Sequence, residues 1–222
     1  MRVKQPKGTR GSLKWIQRAV NERWSSLDDV LSARLGCDGI EWLSPLEADQ
    51  FSEYCDGSFI SLIGHQSLQT ALAEYWPRRG PQWDALGRTS RGDVLLVEAK
   101  AHIAEMCSPG TSASAESRKR IEKALDELAD HLGANKARAP WAVHFYQLAN
   151  RLAHLHFLRR HDVPAWLILV GFLGDRDMKG PSSIEAWEAA YDVAFHVMGI
   201  PRKHALSPYI VHVHPAVPDV PQ

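Results

Sequence analysis

The stretch PAWLILVGFL, residues 164 to 173, limits the fold more than any other part of the chain. It is apolar on both faces, too short to cross a bilayer, and suits a central strand covered on both sides. A strand covered on both faces needs helices on each side of its sheet. The sequence supplies them. Leu13 to Leu35 carries apolar residues at 13, 16, 20, 24, 27, 31 and 35, a helical period ended by Gly36 and Gly39. Ser67 caps a second helix running to Trp76 and stopped by Pro77, with Leu68, Ala71, Leu72 and Tyr75 inward and Glu74 beside that stripe. Ser114 opens a third, with Ile121, Leu125, Leu128 and Leu132 at core spacing and Gly133 at its end. Residues 141 to 160 and Ser183 to Met198 read as further helices. PYIVHVHP at 208 to 215 reads as an edge strand, and residues 40 to 43 as a short one; the remainder of 40 to 66 gives no assignment. The expected class is α/β, a mixed central sheet flanked by helices.

At 222 residues the chain suits a single domain. Lysine plus arginine (26) balances aspartate plus glutamate (26), so no global basic field advertises nucleic-acid binding and any such surface must be local. Residues 1 to 20 hold Arg2, Lys4, Lys7, Arg10, Lys14 and Arg18 and no acid. The arm at about 1–12 is therefore either a solvated tail or a phosphate-contacting segment. Cys37, Cys55 and Cys107 form neither a disulfide framework nor a zinc motif, and the N-terminus lacks a signal peptide's apolar region. These features lead us to expect a soluble cytoplasmic protein with no membrane partner.

The chemistry concentrates in PQWDALGRTSRGDVLLVEAK, residues 81 to 100. A three-residue turn at Ser90, Arg91 and Gly92, with Gly92 in the left-handed position, makes this a hairpin. The register then sets Thr89 against Asp93, Gly87 against Leu95 and Asp84 against Glu98. Alternation brings Asp84, Glu98 and Lys100 to one face and leaves Trp83, Ala85, Leu95, Val97 and Ala99 on the other. Opposed carboxylates destabilise a strand pair unless something neutralises them. A hard divalent cation does so with oxygen ligands, and a lysine two residues on can face a bound phosphate or water.

Asp84, thirteen residues, then Glu98-Ala99-Lys100 at the end of a hydrophobic strand resembles the PD-(D/E)XK nuclease superfamily, the restriction-endonuclease-like fold. The resemblance covers residues 67 to 173 and implies a Mg²⁺-dependent (or Mn²⁺-dependent) nuclease acting on DNA, with RNA as the alternative substrate and a homodimer as one assembly. It implies that Asp84 and Glu98 bind the metal, that the Ala99 carbonyl adds a ligand, and that Lys100 positions the attacking water or stabilises the transition state. It also makes Glu74 a candidate metal ligand from the preceding helix. Two features depart from the pattern: the proline stands at 81 rather than beside Asp84, and the meander's first strand would precede the helix. The same resemblance admits a catalytically vestigial module serving as a nucleic-acid or protein scaffold.

Further candidates surround this set. On the 141–160 helix, Trp141, Phe145, Leu148, Leu152 and Leu155 form a buried stripe. Gln147, Arg151 and His154 stand along its flank as a phosphate-contacting ridge or a polar boundary. Gln147 resembles the glutamine that some of these nucleases place beside the site. Arg88, with Arg78, Arg79 and Arg91, is placed to grip a backbone or to keep strand ends soluble. His102 and Glu105 extend the motif or form a solvated strand end. His212 and His214 share one strand face at a metal-binding spacing, with no identifiable third ligand.

Overall fold

A computed structural model of the protein describes residues 1–136 and 138–218. In chain order the strands are β1 (Arg2–Val3), β2 (Ile40–Ser44), β3 (Glu53–Tyr54), β4 (Ala85–Thr89), β5 (Val94–Lys100), β6 (Ala165–Gly171) and β7 (Ile210–Val213). The helices are α1 (Gly11–Asn21), α2 (Ser25–Leu35), α3 (Asp56–Leu62), α4 (Gln69–Tyr75), α5 (Ala115–Leu132), α6 (Tyr146–Arg160) and α7 (Ile184–Val197). The main sheet has the order β2-β4-β5-β6-β7, antiparallel from β2 to β5 and parallel from β5 to β7. β1 and β3 form a separate antiparallel pair.

β6 is the strand expected from residues 164 to 173, and its two faces explain its composition. Leu167 and Leu169 join Val94 and Leu96 in a core shared with α4, α5, α6 and α7. Ile168 and Val170 join Leu95, Val97 and Ala99 in a second core under α1 and α2. Both faces are apolar because each is covered. The β4–β5 hairpin has the expected register, with Gly87 opposite Leu95 and Ala85 opposite Val97, and Gly92 at φ 88° supplies the turn. The 40–43 segment is the edge strand β2, laid antiparallel on β4.

Four segments differ from the sequence expectation. The stretch from Leu13 to Leu35 is two helices rather than one, because Arg23 turns to φ 54° and its guanidinium reaches the Ile40 carbonyl at 2.7 Å and Asp28 at 2.8 Å. The turn lets the second helix follow the sheet. The N-terminal arm begins as β1, paired with β3. α4 starts at Gln69 behind a short 3₁₀ turn, without a cap from Ser67. α6 begins only at Tyr146, because Phe145 adopts φ 53°. It is also buried on nearly every side from Leu148 to Leu158, wedged between the sheet and its neighbouring helices, so it has no free polar flank over that span.

Candidate active site

Three elements converge where β4 has ended and β5 has not. β5 runs on to Lys100 and carries Glu98 and Lys100 on the face that meets α6. Asp84 sits one residue before β4, level with Glu98, and its Oδ2 accepts the Ala99 amide proton at 2.7 Å. The hydrogen bond anchors the carboxylate at the strand edge that β4 has vacated. The opening is a cleft of about 700 Å³ whose lining includes Glu53, Asp84, Glu98, Ala99, Lys100 and Gln147.

Glu98 is only 3% exposed and both its oxygens are occupied: Oε1 by Lys100 Nζ, Oε2 by Arg151 Nε at 2.5 Å. Burial works against its charge, but Arg151 and Lys100 override it and hold the carboxyl below its ordinary value. Lys100 also donates to Gln147 Oε1 at 3.3 Å. Burial opposes its charge too, yet Glu98 and Asp84 keep its pKa raised. Asp84 behaves oppositely. Burial, followed by the negative charge of Glu98, pushes its carboxyl well up, with Lys100 opposing.

The third acid of this group is Glu53 on β3, 4% exposed, whose Oε2 accepts from Gln5 at 3.0 Å and from Gln82. Burial raises its pKa despite those hydrogen bonds. Glu74, the acid expected from the preceding helix, is exposed on α4 and lines a different depression with Arg120 and Lys123. Nothing in the sequence placed Glu53 here except its being an acid in a largely apolar stretch, since a two-residue strand carries no readable period. Glu105 reaches the cleft as well; its carboxylate accepts from Ser12 Oγ at 2.9 Å and meets His102 Nε2 at 3.3 Å.

The other predicted binding residues separate. Gln147 lines the cleft. Arg151 does so as a brace: 5% exposed, it donates to Glu98, to the Gln82 carbonyl at 2.8 Å and to Asn150 Oδ1 at 2.9 Å, with its guanidinium 5.0 Å from the Trp83 ring. Trp83, expected beside Ala85 on the opposite face, packs in the α6 core instead because its backbone has left β4 to bridge Tyr54. His154 is enclosed by Phe59, Trp76 and Trp83, with Nδ1 2.8 Å from the Asn150 carbonyl, and burial drives it down to about 3. Arg88 faces Val94 at the far end of the hairpin, outside the cleft. His212 and His214 stand with ring centroids 6.5 Å apart, and among the described residues no group of three His, Cys, Asp or Glu side chains is arranged to hold a metal.

No helix among the described residues is long and apolar enough to cross a membrane. No protein-family model, curated protein or solved structure matches the chain.

Proposed function

We propose that the protein is a metal-dependent nuclease of the restriction-endonuclease-like type that hydrolyses phosphodiester bonds in DNA. One observation carries the reading: the inner site sets three carboxylates, Glu53, Asp84 and Glu98, against two cations, Lys100 and Arg151. With all five ionised, one negative charge is uncompensated in a largely buried place. A proton on Asp84 removes it, and a divalent cation turns it into a single positive charge that a phosphodiester can balance. The donors are hard oxygens, and two carboxylates with a backbone carbonyl match what Mg²⁺ or Mn²⁺ takes alongside its waters. Asp84, Glu98 and the Ala99 carbonyl would hold the ion, with Glu53 at its border. A bound ion there supplies Lewis-acid polarisation of a phosphate oxygen and a water of lowered pKa. The order of a helical layer, β2, β4, β5, α6 and β6 suits the same fold type, with α3 and α4 set between β2 and β4 as a departure from it.

The chain's own residues divide the remaining work. Arg151 and the Ala99 amide fix the two carboxylates in position. Lys100, held between Glu98 and Gln147, is the cation available to a phosphoryl oxygen as charge develops. Gln147 keeps that ammonium facing the cleft. Cleavage of supercoiled and single-stranded DNA with Mg²⁺ or Mn²⁺ tests the reading, with structured RNA as the alternative substrate. Lys100→Ala is expected to abolish cleavage, because it removes a group acting on the reacting phosphate. Equal cleavage by variant and wild type would remove Lys100 from the mechanism.

A second reading has its own support: Glu98 is already neutralised on both oxygens, which suits a vestigial site kept as a scaffold. The two readings part on metal response. The nuclease gains thermal stability with Mg²⁺ or Mn²⁺ over chelator, by roughly 1.4 kcal/mol at ten times the dissociation constant, and Asp84→Asn abolishes the gain. The scaffold melts identically with and without metal and binds DNA uncut.

A further inference from the structure

The cleft interior is rich in acids, and a basic segment is hydrogen-bonded to its lining. The arm that reads from the sequence as either a tail or a phosphate-contacting segment is tied to the cleft at both ends. Gln5 donates to Glu53, and Ser12 donates to Glu105, two acids that line the cleft. Between them the backbone is held by one buried side chain: Gln17 Oε1 accepts the Gly8 amide at 2.7 Å and its Nε2 donates to the Pro6 carbonyl at 3.0 Å. The segment is ordered by its own contacts before any partner arrives.

The cations of residues 1 to 20 differ in their partners. Arg2 and Arg18 are paired with Asp49 and Glu22, and Lys14 Nζ lies 4.1 Å from the Trp15 ring centroid. Lys4, Lys7 and Arg10 are exposed and, among the described residues, belong to no ion pair. The loop preceding β4 adds two more. Arg78 and Arg79 are exposed, and that loop is fixed by Asp56, whose carboxylate accepts the Arg79 amide at 3.1 Å and the Gly80 amide at 2.9 Å, Gly80 itself lining the cleft. Unpaired cations held on an ordered segment beside an acidic cleft are what a polyanion needs in order to approach it: they offset repulsion from the interior without an ordering penalty for the arm.

We propose that residues 4–10 form a phosphate rail that binds the backbone of a nucleic-acid strand alongside the cleft, with Lys4, Lys7 and Arg10 as its contacts. The proposal deepens the nuclease reading and rests on it for the direction of approach. Contacts of this kind position a strand without reading its sequence, so the rail binds any sequence and its affinity is strongly salt-dependent.

The test uses fluorescein-labelled single-stranded and duplex oligonucleotides with the intact chain in chelator, where no cleavage competes. The variant K4S/K7S/R10S is compared with K119S/K123S/K203S, which removes as much charge from exposed positions elsewhere. The rail variant is expected to lose roughly tenfold or more in affinity and to shrink the log–log salt slope by about 2 to 3, with its melting temperature unchanged; the control moves far less. Equal affinity of rail variant and wild type, equal loss in the control, or wild-type binding to anionic vesicles but not to oligonucleotides would each overturn the proposal. Should the triple variant melt early, the three single variants carry the same reading. Metal-dependent cleavage that persists unchanged in the rail variant would sink the rail and leave the nuclease standing. Loss of chelator-phase binding in a protein that never cleaves would support the rail and remove the nuclease.

Discussion

At the residue scale, the two carboxylates of the hairpin are not equivalent. Glu98 is held ionised by Arg151 and Lys100, so its folded pKa is depressed and it adds stability above the ordinary carboxylate range, lost as pH falls through the folded value. Asp84 is raised: it adds stability below its ordinary value, lost as pH rises through the folded one. Asp84→Asn is therefore expected to raise the melting temperature of the metal-free protein at neutral pH and to lose that advantage in mild acid. Glu98→Gln is expected to lower it, because two buried cations lose their partner. Melting curves in chelator across the pH range check both signs, and a Glu98→Gln protein more stable than wild type at neutral pH would contradict the brace. Arg151→Ala strands Glu98 from the other side and is expected to cost about 3 to 5 kcal/mol in denaturant titrations, while Gln147→Ala stays within about 1 kcal/mol. The meeting of Asp84, Glu98 and Lys100 was legible in the sequence because a hairpin's turn fixes its register. The role of Arg151 was not, since the rotation of a helix about its axis is set by what it packs against, and α6 is packed on almost every side.

The elements show the same boundary between local and tertiary information. β6 and the β4–β5 hairpin were readable because burial on both faces and turn chemistry leave their mark within a few residues. The break at Arg23 was not readable, since the apolar period continues through it and its cause, the Ile40 carbonyl, lies 17 positions away. The β1–β3 pair that delivers Glu53 is two residues long on each side, below what alternation can reveal. At the end of β6, Gly171 is a position where close approach matters: a Cβ there would stand 2.7 Å from the Trp187 ring, whose Nε1 donates to the Phe172 carbonyl at 3.1 Å. The glycine lets α7 lie against β6. Gly171→Ala is expected to cost about 1 to 3 kcal/mol by urea unfolding. Ser114→Ala, which removes the oxygen accepting the Ser117 amide at the start of α5, is expected to cost about 1 kcal/mol. A Gly171→Ala protein as stable as wild type would show that the α7 layer has room to shift.

For the whole molecule, the sheet separates two cores and opens its site where the central strands end, so the ionisable groups near the site sit in surroundings built for packing. Histidines show the consequence most widely. His154, His156 and His212 are held neutral by burial, at about 3, 4 and 4, with Arg151, the His131 and Arg160 pair, and His214 respectively adding to the effect. A depressed folded pKa means stability that is complete above about 6.5 and lost as pH falls towards the folded value, because the unfolded chain takes up protons that the native chain refuses. Each such histidine contributes a slope of up to about 1.4 kcal/mol per pH unit in that window. Burial lowers His65, His204 and His214 as well, while Asp84, Glu53 and Asp28, raised by burial, contribute the opposite slope: three groups against six. The protein is therefore expected to lose stability steadily from about pH 6.5 down to pH 4, before most exposed carboxylates titrate. Urea midpoints measured at intervals across this window give the number of protons taken up on unfolding. Asp84→Asn should steepen the decline by removing one of the opposing groups, and His212→Asn should make it shallower by one proton. A wild-type curve that is flat from pH 6.5 to 5 would mean that these rings reach water, and that the covered faces inferred for α6 and β7 are open.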